Sequence, residues 1–152
     1  MSESYTIRSA TAGDEATIKA LIRGEHLDPF NVHWQNFLVA EDAEAGRIIG
    51  IGQVKPFHSG RELGSLVVVA GWRENGVGGA IIHALIDREH GPLVLFCLAF
   101  RESYYAKFGF RRCGLSDLPG ELKVKYALGT IFTRLARYHL IAMKRPNSLR
   151  DA

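Results

Sequence analysis

A run of apolar residues followed by a cluster of glycines places the strongest constraint on the fold of this chain. The run Leu66-Val67-Val68-Val69 is rich in β-branched residues, which is typical of a strand that is buried on both faces at the centre of a sheet. Three glycines then fall within positions 76–79, and from Val77 onward apolar residues recur every three or four positions. The pattern predicts a central strand that leads through a tight turn into a helix.

The rest of the chain also alternates between strand and helix patterns. Apolar stretches bounded by turn residues predict strands at positions 5–8, 37–40, 48–54, 62–69, 93–99 and 139–144, with a further strand or turn beginning at Phe110. Helical spacing and capping residues predict helices at positions 14–23, 76–90 and 102–107 and around 124–135. The fold class is therefore mixed α/β.

Composition limits the organisation and the class of partner. The 152 residues, 47% of them hydrophobic, predict one domain over 1–152 with a polar tail at 146–152. The formal charge of +3 comes from scattered residues, so no nucleic-acid partner is expected. No leader pattern or long apolar run occurs, which predicts a cytoplasmic protein without a membrane partner. The six histidines lack metal-ligand spacing, and no metal is expected.

The glycines at the start of the second helix indicate a binding site for an anion. Glycine is costly inside a helix, so a cluster of three is expected where the bare backbone itself is used. The free N–H groups and the dipole at a helix N-terminus bind phosphate groups, and Arg73 can add a positive charge. Close packing on the sheet through Gly78 and Gly79 is the alternative. The position after the central strand, where ligand sites of α/β proteins lie, favours the anion site.

Two motifs together resemble the GNAT N-acetyltransferase superfamily. The first is Arg-x-x-Gly-x-Gly-Gly-Ala at positions 73–80, and the second is Tyr-Tyr-Ala-Lys-Phe-Gly-Phe at positions 104–110. The likeness extends over almost the whole chain, and positions 62–68 together with Leu118-Pro119 are most similar to amino-acid acetyltransferases. Two features departing from the family pattern are Ala70-Gly71, where a proline is usual, and the missing asparagine near positions 98–101.

The resemblance implies the form of the sheet and the co-substrate. The fold would be a single central mixed, mostly antiparallel, twisted sheet that is splayed at the acetyl-CoA site and flanked by helices. The main chain of Val67, Val68 and Val69 would pair with the pantetheine arm of acetyl-CoA like an added strand. The pyrophosphate would be held by eight consecutive residues, which are Arg73, Glu74, Asn75, Gly76, Val77, Gly78, Gly79 and Ala80.

The resemblance also implies two catalytic groups. Tyr105 occupies the family's tyrosine position, where the hydroxyl protonates the departing thiolate. From the residue alone, packing as a core aromatic is the alternative. An alkylammonium with a pKa of about 10.4 must lose a proton before it can attack, and Glu62 lies where related enzymes place a carboxylate that works through water. An exposed position at a strand edge is the alternative for Glu62, and Glu41 is a less favoured substitute.

The acceptor amine is assigned to the loop at positions 24–35, which carries aromatic and acidic side chains. The resemblance places acceptor recognition at this loop and at positions 118–126. Asp28 and Phe30 are predicted to bind the amine by charge and cation–π contacts. The alternative is that the aromatic residues Phe30 and Trp34 cap the core.

These features predict an enzyme that transfers the acetyl group of acetyl-CoA to a primary amine by direct attack in a ternary complex. A small molecule or an amino acid is favoured over a protein as the acceptor, and a homodimer is compatible with the sequence. A catalytically silent acyl-CoA sensor on the same fold is the main alternative. A nucleotide-binding P-loop is disfavoured, because Gly78-Gly79-Ala80 lacks the Lys-Ser/Thr pair that such a loop needs.

Overall fold

The computed structural model describes residues 4–146, in which strands and helices alternate. The strands are β1 (Tyr5–Ser9), β2 (Phe37–Asp42), β3 (Ile48–Pro56), β4 (Arg61–Val68), β5 (Leu93–Leu98), β6 (Arg111–Cys113) and β7 (Leu140–Arg145). The α-helices are α1 (Glu15–Gly24), α2 (Val77–Glu89), α3 (Glu102–Ala106) and α4 (Gly120–Leu135). The chain forms two compact units, which are residues 4–55 with Gly64–Glu89, and Pro56–Leu63 with residues 90–146.

The first unit is built on a β-hairpin. β2 pairs antiparallel with β1 on one side and with β3 on the other. The strand order in this unit is β1-β2-β3-β4, where β4 contributes its residues from Gly64 onward. Helix α1 buries Ile18 and Ile22, which lie four residues apart and therefore on one helix face. They belong to a core cluster whose other buried members are Ala10, Phe37, Val39, Ile51 and Val67.

Two glycines in β3 allow α2 to lie close to the sheet. A Cβ added at Gly52 would lie 2.7 Å from Cγ2 of Ile81, and one added at Gly50 would lie 3.0 Å from side-chain atoms of Ile81 and Val77. Real Cβ atoms essentially never come as close as 2.7 Å and seldom as close as 3.0 Å, so a larger residue at either position would require α2 or its side chains to shift. The first turns of α2 are therefore held firmly against β3.

An ion-pair network connects β1, β2 and the turn before α1. The Arg8 guanidinium donates to Asp14 Oδ2 at 2.8 Å and to Glu41 Oε2 at 2.7 Å. Asp14 precedes α1 as predicted, but its carboxylate accepts from the Thr11 N–H at 2.7 Å and makes no capping bond to α1. The hydrogen bond from Arg8 lowers the pKa of Asp14 to about 2. Glu41 is thus part of this network.

The second unit contains the first residues of β4 and the strands beyond it. β4 and β5 pair parallel at Glu62 and Val94, β5 pairs antiparallel with β7, and β7 pairs antiparallel with β6. The strand order is β4-β5-β7-β6. Helix α4 packs on β7, and Leu122 is fully buried there in a cluster with Val94, Leu118 and Ala142.

The predicted mixed α/β class with a mostly antiparallel sheet is confirmed, and the sheet has seven strands. Most element ends agree to within one or two residues. The expectation that β4 is buried on both faces is wrong, because five of its eight residues are partly exposed. An apolar run indicates full burial only if other elements cover both faces of the strand.

Several expectations about organisation stay predictions. The interpretation of residues 1–152 as one domain is one of them, and so is the splay of the sheet. The predicted polar tail at 146–152 lies outside the described residues apart from Pro146. None of the described helices is long and apolar enough to span a membrane.

Replacing Asp14 with asparagine tests the network at the start of α1. The carboxylate pKa of about 2 in the folded chain is below its ordinary value of 3.8, so its stabilisation is present above pH 4 and is lost as the pH falls through 2. We expect Asp14→Asn to lower the free energy of unfolding at neutral pH by about 1–2 kcal/mol. Urea titrations at a series of pH values would measure the free energy of unfolding of both proteins. The difference between them should shrink toward pH 2. A difference that does not depend on pH would contradict the role of the Asp14 carboxylate.

Candidate functional site

The backbone changes direction twice between β4 and α2. Val69 is extended, Ala70–Trp72 form one turn of 3-10 helix, and Arg73 is extended again. Glu74 and Gly76 then adopt left-handed conformations, with φ of +66° and +78°. The turn at Ala70–Trp72 takes the place of the proline that the family usually has before this loop.

Conformation, and not space, requires glycine at position 76. A Cβ added to Gly76 would meet nothing within 4 Å, but its φ of +78° is one that L-residues seldom adopt. Glu74 has a similar φ despite carrying a side chain, which costs on the order of 1–3 kcal/mol. Strain of this kind persists only where the surrounding structure enforces it, and it is frequent in ligand-binding loops.

Arg73 holds the loop in place through its side chain. Its Nε donates to the carbonyl oxygen of Val68 at 3.0 Å, and its Nη2 donates to Glu25 Oε1 at 2.8 Å. The Asn75 side chain in turn donates to the Arg73 carbonyl at 2.9 Å. Arg73 thus connects the end of β4, the loop before α2 and the start of the loop at positions 25–33. The Arg73 side chain remains half-exposed at the head of the loop.

Helix α2 presents its N-terminal end after this loop. Val77 is buried, whereas Glu74, Asn75 and Gly76 are exposed. The N–H groups of the first helical turn have no acceptor within a helix, and the dipole of a helix concentrates roughly half a positive charge at this end. The arrangement of backbone N–H groups suits a phosphate or another anion. Because α2 is packed on β3, the N–H groups are presented by a rigid element.

The predicted backbone-pairing segment lies at the end of β4. Val67 is buried, and Val68 and Val69 are half-buried. The Val69 N–H donates to the Ile49 carbonyl of β3 at 2.9 Å. Because successive residues of a strand direct their N–H and C=O groups to opposite sides, those of Val68 are directed away from β3. The Val68 carbonyl accepts from Arg73 there, and its second lone pair can still accept from an added strand.

The loop residues Asp28 and Phe30 are also in the first unit, and they are connected through a buried lysine. Asp28 Oδ1 accepts from the Phe30 N–H at 2.9 Å, and Oδ2 accepts from Lys55 Nζ at 3.1 Å. The Lys55 ammonium also donates to the Phe30 carbonyl at 2.9 Å, although Lys55 is only 1% exposed. The carboxylate therefore fixes the loop backbone, while the Phe30 ring is 74% exposed. The sequence did not single out Lys55, which stands in an apolar strand pattern.

Ser65 and Gln53 form a polar pair in the first unit that sequence reasoning also missed. Ser65 lies inside β4 with a left-handed φ of +54°, which is uncommon for a residue with a side chain. Its hydroxyl accepts from Gln53 Nε2 at 2.8 Å, and Gln53 is fully buried. Among the described side chains, Gln53 Oε1 is the buried polar atom without a hydrogen-bond partner. No local pattern in the sequence predicts a left-handed backbone at Ser65.

Tyr105 lies on α3 in the second unit, and its ring is surrounded by aromatic side chains. It packs edge-on against Tyr104 at 5.1 Å and Phe110 at 6.4 Å between ring centroids. Burial, with a smaller contribution from Cys97, raises the pKa of Tyr105 to about 12. The phenol is therefore neutral at physiological pH and able to donate a hydrogen bond or a proton.

Gly109 ends the segment that carries Tyr105. Its φ is +89°, and an added Cβ would lie 3.3 Å from Nε of Arg145. That same Nε donates to the Phe108 carbonyl at 2.9 Å. A larger residue at position 109 would be strained and would also press on Arg145, which explains the glycine of the second motif.

Glu62 is buried in β4, so the alternative of an exposed strand-edge position is excluded. Its Oε2 accepts from Lys125 Nζ of α4 at 2.6 Å, and the ammonium also lies 5.6 Å from the centre of the Phe57 ring. The carboxylate thus has a cation as its immediate neighbour. Lys125 is 63 positions away in sequence, and no spacing rule connects two residues that only the fold brings together.

The remaining reactive side chains form no second site within residues 4–146. Both cysteines are free, and burial raises the pKa of Cys97 to about 11, which keeps its thiol protonated and unreactive. No group of three His, Cys, Asp or Glu residues in that range could hold a metal ion.

Comparisons with known proteins identify the family. The model of the acetyltransferase (GNAT) domain matches residues 33–112, which is more than half of the chain and includes both motifs up to Phe110. None of the curated protein sequences compared with the chain matches it.

Solved structures show the same fold at low sequence identity. N-acetylglutamate synthase from Neisseria gonorrhoeae, complexed with coenzyme A and N-acetyl-glutamate, has a TM-score of 0.77 and 21% identity over 97% of this chain. The present chain spans only 36% of that protein. Rv2747 from Mycobacterium tuberculosis, in complex with CoA, has a TM-score of 0.75 and 18% identity over 93% of this chain and 98% of its own.

A third structure is similar over nearly its whole length. The ribosomal-protein-S18-alanine N-acetyltransferase from Escherichia coli has a TM-score of 0.66 and 18% identity, with 95% of each chain covered. The fold agrees with the domain match, and the domain match covers the loop before α2 and the α3 tyrosines. The chain therefore belongs to the GNAT acetyltransferase family.

Proposed function

We propose that this protein is an N-acetyltransferase that transfers the acetyl group of acetyl-CoA to a primary amine in a ternary complex. The observation that carries the proposal is the strained loop that leads into α2, because it presents the backbone N–H groups of a helix N-terminus as an anion site. Membership of the GNAT family supplies the reaction class. A cytoplasmic location and self-association as a homodimer belong to the same proposal.

The co-substrate is proposed to lie along the end of β4 and the start of α2. The N–H groups of residues 74–79 would hold its pyrophosphate, with the Arg73 guanidinium nearby. The Ala80 N–H is not available for this role, because it donates to the Gly76 carbonyl at 3.0 Å. The pantetheine arm would lie along Val67, Val68 and Val69 and would pair with the main-chain groups of Val68, because the Val69 N–H is already bonded to β3. Support comes from the direction of the Val68 peptide groups, and from CoA in the structures of the gonococcal and mycobacterial proteins.

The proposed reaction is a single displacement at the thioester. The neutral amine nitrogen attacks the acetyl carbon, the carbon–sulfur bond breaks, and the thiolate of CoA leaves as the amide forms. The nitrogen loses one proton and the thiolate gains one. Tyr105 is proposed to donate to the thiolate, which its neutral, half-buried phenol is suited to do. The same burial that raises the phenol pKa also favours protonation of a thiolate beside it.

Glu62 is proposed to accept the amine proton through water. A buried carboxylate next to an ammonium can relay a proton if water reaches it, and Lys125 would stabilise its charged form. The pair also suggests the alternative function, an acyl-CoA sensor, because the carboxylate is already engaged by Lys125. A small molecule or amino acid is the proposed acceptor, as the family pattern at positions 62–68 and at Leu118-Pro119 suggests.

A thiol-release assay on a panel of primary amines tests the proposal. Purified protein, acetyl-CoA and each amine would be combined, and free CoA measured with a thiol reagent. Transfer predicts amine-dependent release with at least one amino acid or small amine. CoA binding without any amine-dependent release would support the sensor, and absence of CoA binding would contradict both functions.

Substituting Gly78 with glutamate tests the anion site. The new side chain and its negative charge would occupy the space at the N-terminus of α2, so we expect loss of CoA binding by at least about 100-fold in calorimetry. Gly120→Glu is the matched control, because it makes the same change at the first residue of α4, where an added Cβ meets nothing within 4 Å. Normal affinity in a folded Gly78 variant would place the pyrophosphate elsewhere.

Substituting Tyr105 with phenylalanine tests the general acid. Only the hydroxyl is removed, so turnover should fall by roughly 10²- to 10⁴-fold with little change in CoA affinity. Because its pKa is about 12, the wild-type phenol stays protonated, and activity should not decline on the alkaline side up to about pH 10. Tyr104→Phe is the control and should retain near-normal turnover. A Tyr105 variant as active as this control would reduce Tyr105 to a packing residue.

Substitutions in the loop test acceptor binding. Phe30→Ala removes an exposed ring and should raise the KM for the amine about 2- to 30-fold without changing the KM for acetyl-CoA. Asp28→Asn should raise the same KM and also lower the free energy of unfolding by about 1–3 kcal/mol, since it weakens the bond to buried Lys55. Leu115→Ala, also at an exposed apolar residue, is the control. An equal rise in the KM for the amine and the KM for acetyl-CoA would contradict acceptor binding by this loop.

A further inference from the structure

Helix α4 carries its apolar residues on the side that faces solvent. Val124, Leu128, Ile131, Phe132 and Leu135 are between 52% and 78% exposed. A helix on the surface of a monomer normally buries its apolar stripe and exposes its polar one. The pattern of α4 is reversed over most of its length. An exposed contiguous apolar patch of this kind marks an interaction surface.

The inward side of α4 explains how the helix is held without that stripe. Leu122 is fully buried near its start, and the Tyr126 ring stacks on Phe96 with 5.5 Å between centroids. Gly129 allows close approach to β7, because an added Cβ would lie 2.9 Å from Cδ2 of Leu140. The hydroxyls of Thr130 and Thr133 donate to carbonyl oxygens within the helix. The inward side of α4 therefore packs through a few residues, and its threonine hydroxyls have hydrogen-bond acceptors within the helix. The apolar residues of the outer side are left for a partner.

The stripe has the spacing of a seam between two helices. Its members Val124, Leu128, Ile131 and Leu135 are separated by four, three and four residues, which is the heptad alternation of helices that pack side by side. The order is also self-complementary. When a second copy of the helix is turned end for end, Val124 faces Leu135 and Leu128 faces Ile131. A two-fold axis requires such a self-complementary patch.

We propose that α4 packs antiparallel against α4 of a second copy of this chain, with the two-fold axis between Leu128 and Ile131. Complete coverage of the exposed stripe, together with Tyr138 just beyond the helix, would bury on the order of 600 Å² per copy, against about 800 Å² per partner in a standard stable interface.

The charges beside the seam are compatible with this pairing. Residues 126–133 carry no ionisable group other than the Tyr126 phenol, so the middle of the seam buries no formal charge. Lys125, which would approach Arg134 of the other copy, is already bonded to Glu62 in its own subunit. An apolar helix face flanked by basic residues can also bind an anionic lipid surface. Flotation with anionic vesicles distinguishes lipid binding from dimer formation.

Sedimentation equilibrium from about 1 µM to about 1 mM protein tests the proposal, since this range covers weak and moderate dissociation constants. We expect a monomer–dimer equilibrium for the wild type. Leu128→Lys and Ile131→Glu should each raise the dissociation constant about 100-fold or more, because each buries an unpaired charge. Leu115→Glu is the control for Ile131→Glu, because it places a negative charge at an exposed apolar residue outside the stripe, and it should leave the dissociation constant unchanged.

Mixing the two disruptive variants tests the antiparallel arrangement itself. In the proposed dimer Lys at position 128 of one variant faces Glu at position 131 of the other, while the second contact remains Ile against Leu, so the mixture should regain a heterodimer. Circular dichroism would confirm that each variant is folded. A monomeric wild type over the whole range would overturn the proposal. A mixture that stays monomeric would overturn the antiparallel arrangement, and stripe-dependent flotation with anionic vesicles by a monomer would assign the surface to lipid.

Discussion

The left-handed backbone at Glu74 and Gly76 is the constraint on which the candidate site depends. It lies between the end of β4 and the first residue of α2, and it turns the chain from the strand into the helix. Arg73 stabilises this turn through bonds to β4 and to Glu25. The close approach of α2 to Gly50 and Gly52 then fixes the position of the helix.

The second unit contributes chemistry of a different kind. Burying the Tyr105 hydroxyl and the Glu62 carboxylate is costly for each group, and the fold retains both. Burial keeps the Tyr105 phenol protonated, and Lys125 compensates the burial of the Glu62 carboxylate. In the proposed reaction, Tyr105 would give a proton and Glu62 would take one. That division of roles is what aminolysis of a thioester requires, because the nucleophile must lose a proton and the leaving group must gain one.

Sequence patterns predicted what local physics determines. The elements and the loop before α2 could be predicted because they depend on short-range backbone preferences. These are the strand and helix periodicity, the glycines at the start of α2, and Gly109 at the end of the segment that carries Tyr105. The partners of Glu62 and Asp28 could not, because Lys125 and Lys55 approach them only through the fold. The spacing of the apolar residues in α4 correctly predicted a helix. It did not reveal that most of them face solvent, since periodicity is the same for an inner and an outer stripe.

The central claim is that the backbone at the start of α2 binds the pyrophosphate of CoA. The most direct measurement is a titration of ¹⁵N-labelled protein with CoA, followed through the backbone amide signals of Gly76, Gly78 and Gly79. Hydrogen bonds to phosphate oxygens shift the amide protons that donate them, so the account predicts saturable, downfield changes at Gly78 and Gly79, whereas pantetheine, which lacks the pyrophosphate, leaves these two signals nearly unchanged. Saturable CoA binding that moves other amides but not these two would contradict it.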